Sequence, residues 1–359
     1  MATTEDLLKL NTDGLNGEAL DASAISKLLC LEDFSPVYEA ADEVRRRHVG
    51  DTVHLRAIIE FSNICRRQCR YCGLNRDNRE LIRFRMSEDE ILSTAREAVD
   101  AGYRTIVLQS GEDEGFNVKR LGDIVEQIKQ MKIPTEGESE AANELYPAVT
   151  LSCGEMSRED YAYLRKRGAD RYLLKHETAD SALYDRLHPC GTLAQRIDCL
   201  KTIYELGYEA GGGFMVGLPG QTSEIIAEDL MLLKAIPCRM AGIGPFIANP
   251  KTPLAGEKNG EPEMARRAVA IARLLLPEAN LPVTTALSVL SGKGHSEAGA
   301  GEGGGNPFAF GANVVMKKVT PDEYKQAYEI YPADFDRTDI LKDRRELEKL
   351  IKKYGRKPL

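Results

Sequence analysis

The chain has 359 residues, 42% of them apolar, enough for a large core in one α/β domain or two smaller ones. A net charge of −8 and a pI near 5.4 exclude any overall attraction to nucleic acid or anionic membranes. No apolar run approaches the roughly 20 residues that span a bilayer. The stretch "MATTEDLLKLNTDG" lacks the basic region and apolar core of a secretory signal, so a cytoplasmic chain with reduced thiols is expected.

Residues 1–49 read as an N-terminal helical cap. From 50 to 319 a two-part unit recurs, a β-branched run followed by an amphipathic helix. The runs lie at 54–61, 104–111, 148–154, 171–178, 209–218, 240–247, 282–289 and 311–317. Between the first two, "SEDEILSTAREAVDAG" opens on Ser87 with Glu90 three residues on, a capping box, and closes on Gly102. Alternating strands and helices predict a parallel sheet covered by helices. Eight runs predict closure into a (β/α)8 barrel of the TIM type. Residues 320–359 form a C-terminal helical extension whose charged end, "RRELEKLIKKYGRKPL", reads as a solvated surface piece. Two loops stand out: a polar insertion at 132–148, and a Gly-rich stretch at 291–311 that reads either as a lid or as a plain surface loop.

The eight cysteines include three within eight positions, Cys65, Cys69 and Cys72, in "NICRRQCRYCGL". The motif follows the first strand, which in a barrel places it on the C-terminal rim where active sites sit. A closed zinc site needs four ligands, usually in paired spacings. Cys153 or His54 could complete one, but neither has that spacing. Three thiolates on a four-iron cluster leave one iron without a protein ligand and free to bind a substrate.

Four other stretches carry candidate residues. Gln109 and Gly111 end the second strand in "QSGED", where the alternative is an ordinary strand-end turn. On "RYLLKHET", Arg171, Lys175 and Glu177 share one face, and Tyr172 and His176 the other. Inward charges of both signs need pairing or a zwitterionic ligand. Ser152 and Glu155 end the preceding strand, and Arg196 follows on a helix, where the alternative is a surface arginine. "GGGFMVGLPGQT" has glycines that mark close approach rather than a dinucleotide fingerprint. Met215 and Met240 read as core filler or as ligand contacts.

The C-x3-C-x2-C spacing, with Tyr71 before the last cysteine, resembles the signature of the radical S-adenosylmethionine (SAM) family. That resemblance implies a 4Fe–4S cluster on Cys65, Cys69 and Cys72, whose open iron chelates SAM. One electron then cleaves SAM to a 5′-deoxyadenosyl radical. It also implies that Tyr71, Gln109, Gly111, Ser152, Glu177, Arg196 and Met215 serve cofactor binding. "RAIIEFSNICRRQCRYCGL", "TIVLQSGED", "DRYLLKHETA", "MVGLPGQT", "GIGPFI" and "GANVVM" further resemble the HydE maturases of FeFe hydrogenase, over about residues 40–332. This implies radical attack on the sulfur of a cysteine-bound iron carbonyl cyanide species supplied by HydG, with product passed toward HydF. It further implies ferredoxin or flavodoxin as electron donor, and Arg171, Lys175, Met240, Thr284 and Thr285 as substrate contacts. No cysteine follows Cys238, so the second cluster that some relatives carry is expected to be absent. The alternatives are a methylornithine synthase-like mutase, biotin synthase-like sulfur chemistry, or a non-catalytic metal-binding interaction protein.

Overall fold

The computed structural model describes residues 20–134, 144–290, 306–333 and 337–359. Most of the polar insertion and of the Gly-rich stretch, with the question of a lid, lies outside the described residues.

The strands are β1 (Thr52–Ser62), β2 (Thr105–Ser110), β3 (Ala148–Ser152), β4 (Arg171–Leu173), β5 (Glu209–Gly212), β6 (Met215–Val216), β7 (Met240–Ala241), β8 (Gly244–Pro245), β9 (Pro282–Val283) and β10 (Val314–Lys318). Eight of them pair in parallel in the order β7-β5-β4-β3-β2-β1-β10-β9. A bridge between Met240 and Asn280 brings β7 against the segment entering β9, so the sheet closes on itself nearly completely. This is the expected (β/α)8 barrel.

Period-two alternation sorts the side chains. Val53, Leu55, Ala57, Ile59 and Phe61 of β1 pack in the core under the helices. His54, Arg56, Ile58 and Glu60 therefore face the lumen. The register carries this across the sheet: Ile58 pairs with Val107, Val107 with Thr150, and Thr150 with Arg171.

Three expected strands differ in extent. The runs at 209–218 and 240–247 each break at glycine. Gly213 has φ 150°, and a Cβ there would lie 2.3 Å from the Gly242 carbonyl oxygen. Only two bare backbones can approach so closely, and past this crossing β6 pairs with β8 as a separate two-stranded piece. The run at 282–289 keeps strand form only in β9. At Thr285 it turns helical, because the Thr284 hydroxyl accepts the Leu287 N–H at 3.4 Å as a cap.

The helices are α1 (Ala22–Leu29), α2 (Ser35–Val49), α3 (Glu88–Asp100), α4 (Val118–Lys129), α5 (Arg158–Lys166), α6 (Ser181–Leu187), α7 (Leu193–Glu205), α8 (Ser223–Ala235), α9 (Pro262–Leu275), α10 (Thr285–Leu290), α11 (Asp322–Lys325) and α12 (Ile340–Lys353). Helix α3 shows the logic. Ser87 and Glu90 form the capping box, Ile91, Ala95, Ala98 and Val99 are buried, and Gly102 ends the helix at φ 94°. The N-terminal helices join the outer layer, α1 on α8 and α2 on α9. The C-terminal end is not merely solvated, which corrects the sequence reading. Among its charges α12 carries Leu347 and Ile351 four residues apart, both buried. Beyond it β11 (Lys357–Pro358) pairs with the start of β1. Arg356 is buried there against Asp42 at 2.6 Å and Asp51 at 3.1 Å. No helix among the described residues is long and apolar enough to cross a membrane.

Candidate active site

The loop from β1 to α3 carries the three cysteines without regular secondary structure, so its shape depends on side chains that satisfy its backbone. Asn63 donates to the carbonyls of Ile82 (2.8 Å) and Ala327 (2.7 Å) and accepts the Phe84 N–H at 2.8 Å. Asn75 donates to the Cys72 carbonyl at 2.7 Å and accepts from the N–H groups of Asp77 and Asn78. Asn78 donates to the Gly73 carbonyl at 2.8 Å. The Arg83 guanidinium donates to four carbonyls, of Asn63, Leu74, Asn75 and Asn78, at 2.7, 2.8, 2.6 and 3.2 Å. The loop also leans on the end of β2. A Cβ on Gly111 would lie 2.3 Å from the Ile64 carbonyl oxygen and 2.7 Å from Cys65 Cβ.

The three thiols are free and partly buried. Burial pushes Cys69 up to about 12, with Arg196 pulling down and Cys65 pushing up. Burial raises Cys72 too, reinforced by Cys69 and Cys65. The sulfurs are thus near enough that charge on one resists ionisation of the others, and a bound cation removes that penalty. Among the described residues no three His, Cys, Asp or Glu groups are placed to hold a single metal ion. A cubane cluster is held by cysteine thiolates, so three neighbouring cysteines on one loop are a donor set that fits it.

Around the thiols stands a fixed polar shell. The Tyr71 hydroxyl lies 3.0 Å from His188 Nε2. The His188 ring stacks on Tyr184, and burial drives its pKa down to about 4. The Tyr184 hydroxyl accepts from Arg196 Nε at 3.3 Å. Glu155 joins two arginines, Arg67 at 2.7 Å and Arg196 at 2.8 Å. Glu112 accepts from Arg66 and Arg67, and its backbone N–H approaches Cys65 Sγ at 3.4 Å. Burial opposes the charge of Arg196, yet Tyr184, Glu155 and Tyr71 outweigh it and raise its pKa.

Glu177 is a non-glycine residue at φ 67°, a conformation that persists only where neighbours enforce it. Its N–H donates to the Gly213 carbonyl at 3.1 Å, and its own carbonyl accepts the Met215 N–H at 3.2 Å. Its carboxylate meets Lys175 Nζ at 3.0 Å. Tyr172 and His176 are fully buried on the helix side, so the charged face of the run turns into the barrel. Met215 packs against Leu183, Leu187, Leu218 and Phe246, the apolar cluster that also receives Tyr71.

Deeper in the lumen Gln109 and Ser152 are register neighbours, and Gln109 reaches the Tyr328 hydroxyl at 3.4 Å. Buried Glu60 pairs with Lys318 at 2.8 Å. Thr284 packs on Gly244, where a Cβ would lie 2.5 Å from its hydroxyl, and Thr285 hydrogen-bonds Tyr331. The other two expected substrate contacts sit lower. Arg171 is engaged by Glu209 at 2.7 Å at the start of β4, whereas Lys175 follows the end of that strand. Met240 Sδ accepts from buried Arg56 at 2.9 Å.

The structure thus gathers Cys65, Cys69, Cys72, Tyr71 and Gly111 at one place. It sets Lys175, Glu177 and Met215 together on an adjoining wall, links Arg196 through Tyr184 and Glu155, and leaves Arg171 and Met240 at the far end. Sequence reasoning missed the loop-holding Asn63, Asn75, Asn78 and Arg83, as well as His188, Tyr328 and Tyr331. Asn75 and Asn78 had a usable signal, since Asn in a loop binds backbone two or three residues on, whereas Asn63 had none, its partners Phe84, Ile82 and Ala327 being distant in sequence. The tyrosines had none, because they reach the lumen from a segment more than 240 residues beyond the cysteines.

Comparison with known proteins agrees with this geometry. The Radical SAM superfamily model matches residues 59–233. FeFe hydrogenase maturase subunit HydE of Thermotoga maritima is 47% identical over 296 residues, 82% of this chain and 78% of that protein. A 3-methylornithine synthase of Methanosarcina acetivorans is 27% identical over 98% of this chain and 93% of its own. The crystal structure of methylornithine synthase (PylB) superposes with a TM-score of 0.78, at 23% identity over 98% of this chain and 97% of that one, a likeness of fold. A barrel whose rim bears three cysteines in this spacing, together with near-half identity across most of a HydE protein, makes this chain a radical SAM enzyme that belongs to the HydE family.

Proposed function

We propose that this chain matures FeFe hydrogenase. In this reading it cleaves SAM reductively and directs the 5′-deoxyadenosyl radical to the sulfur of a cysteine-bound iron carbonyl cyanide species. That species comes from HydG, and the product passes toward HydF. The observation that carries the reading is the 47% identity to the HydE of Thermotoga maritima, spread over 78% of that protein. A 4Fe–4S cluster, when bound, supplies the single electron that splits SAM.

The chain's own residues then do the following. Cys65, Cys69 and Cys72 hold the cluster, on a loop fixed by Asn63, Asn75, Asn78 and Arg83. Gly111 leaves room for Cys65 and offers strand-end backbone to SAM. Ser152, Glu177 and Arg196 serve its polar groups, with Gln109 beside them, and Tyr71 and Met215 flank its adenosine. Glu177 is pre-set for this by its φ of 67° and its Lys175 partner. Lys175, Thr284 and Thr285 offer a cation and two hydroxyls to a substrate carboxylate in the lumen. Arg171 and Met240 line its floor, and the closed barrel excludes water from the radical.

The test is incubation of the reconstituted protein with SAM, a reductant and the iron–cysteine complex. Consumption of the complex together with 5′-deoxyadenosine is expected. The likeness to 3-methylornithine synthases over nearly the whole chain supports a second reading, a mutase. Formation of 3-methylornithine when its isomer lysine is added to the same preparation, with the iron complex untouched, would establish that reading instead.

A further inference from the structure

Glu177 holds a φ of 67° that a non-glycine residue keeps only under constraint, and part of that constraint is supplied by α8. Asp229, on α8, is fully buried. Its Oδ1 accepts the Ala179 N–H and lies 3.4 Å from His176 Nε2. The two residues met in this way flank Glu177, one just before it and one two places after. Asp229 Oδ2 accepts from Gln221 Nε2 at 3.1 Å. Gln221 in turn reaches the turn that leaves β6. Its Nε2 also donates to the Met215 carbonyl at 2.9 Å, and its Oε1 accepts the N–H groups of Gly217 at 2.7 Å and Leu218 at 3.3 Å. Two backbone donors at one end and a carbonyl with a carboxylate at the other fix the orientation of this amide and use all four of its hydrogen-bonding positions. A buried carboxylate is costly without such partners. Burial pushes the pKa of Asp229 up, while His176, the Ala179 N–H and Gln221 pull it down.

We propose that Asp229 and Gln221 are positioning residues that clamp the Glu177 segment and the Met215–Leu218 turn at a fixed spacing, so that SAM meets them as one preformed surface. The inference rests on the reading above, in which Glu177 serves the polar groups of SAM and Met215 flanks its adenosine. Asp229 has no solvent-accessible surface, so it acts through the segments it holds and not by touching a ligand. The clamp needs a carboxylate there, because the Ala179 N–H and the Gln221 amide offer its two oxygens donors alone. The two segments also meet directly, through Glu177 N–H on the Gly213 carbonyl at 3.1 Å and Met215 N–H on the Glu177 carbonyl at 3.2 Å. Those bonds set their register, and the side-chain bridge behind them stops the pair from opening. A ligand that spans two subsites gains from both only when their spacing matches it, so the clamp matters more to SAM than to either half of SAM.

The experiment compares wild type with Asp229→Asn and Gln221→Leu. Asparagine keeps the shape of Asp229 but must turn an N–H of its own toward one of the two donors. Amide hydrogen exchange in the absence of SAM reads the clamp directly. In Asp229→Asn the Gly217 and Leu218 amides, which Asp229 does not touch, should exchange about tenfold faster or more. In Gln221→Leu the same should hold for the Ala179 amide, which Gln221 does not touch. Calorimetry on the reconstituted proteins, without reductant, then compares SAM with methionine and with 5′-deoxyadenosine. SAM should bind about tenfold more weakly or worse in both variants, while each fragment stays within about twofold of wild type. Iron per chain should not change. Exchange that quickens only at the amide whose partner was altered would overturn the proposal. Equal weakening of SAM and its fragments would overturn it too, because that marks a general loosening of the fold. Coupled exchange in a protein whose wild type binds no SAM would leave the clamp standing and refute the reading of the site it serves.

Discussion

Gly111→Ala probes the fit between the cysteine loop and the barrel. The change adds one methyl group at the end of β2 and alters nothing else in the polypeptide. The φ of Gly111 lies outside the left-handed region, so backbone strain does not enter and the cost is purely steric. The new Cβ would stand 2.3 Å from the Ile64 carbonyl oxygen and 2.7 Å from Cys65 Cβ. Carbon–oxygen contacts normally stand near 3.3 Å or beyond, so the loop must retreat by roughly 1 Å. Both neighbours are main-chain or Cβ atoms, which cannot rotate away. Such overpacking costs about 1–3 kcal/mol, and the retreat carries Cys65 off its place among the three thiols. Urea unfolding of the apo protein should show that loss, and anaerobic reconstitution should show iron per chain reduced by half or more. Gly256→Ala is the control, since a Cβ there meets nothing within 4 Å. It should match wild type in both assays. A Gly111→Ala protein with wild-type stability and iron content would refute the close fit between loop and strand.

Three further outcomes follow from the same structure. Glu155→Gln leaves Arg196 buried beside a neutral partner, which should cost about 3 kcal/mol of apo stability. Set against Glu155→Gln and Arg196→Gln alone, the double variant carrying both should recover part of that in a double-mutant cycle, and strict additivity would mean the pair is not coupled. The folded pKa of His188, about 4, lies below its unfolded value near 6.5. The unfolded chain therefore binds the extra proton first, and stability falls as pH drops through that window, by roughly 3 kcal/mol in full. His188→Gln should flatten that slope in urea titrations between pH 7 and pH 4, and an unchanged slope would remove His188 as its source. Reconstituted wild type should hold about four irons, the content of one cubane cluster, and a reproducible value near eight would show a second.

The barrel was readable because its strands and helices alternate with clean periods and because the caps, such as Ser87 with Glu90, are local. The cysteine loop was readable because its three cysteines lie within eight residues. Legibility ended where the deciding contact is distant in sequence. The break between β5 and β6 comes from Gly213 passing Gly242, and nothing within either run announces that crossing. The turn to helix at Thr285 follows from a cap by a β-branched residue whose propensity favours strand. The C-terminal tail looked solvated because charges outnumber its two inward apolar residues, while its pairing partner, the start of β1, lies 305 residues away. At the site, face alternation has a strand to act on only over Arg171–Leu173; beyond it Lys175 and Glu177 meet each other at 3.0 Å, with Glu177 at φ 67°. The same rule put Arg171 on that wall without showing that Glu209, its neighbour across the register, had already engaged it.

The central claim is that this chain performs the HydE step of hydrogenase maturation through its three-cysteine loop. The most direct measurement is hydrogen evolution by apo FeFe hydrogenase incubated with HydG, HydF and either this protein or its Cys69→Ala variant, in extract lacking HydE. The account predicts that wild type restores activity and that the variant, with one cluster ligand removed, does not. Restoration by both proteins, or failure of a wild type that still cleaves SAM, would contradict it.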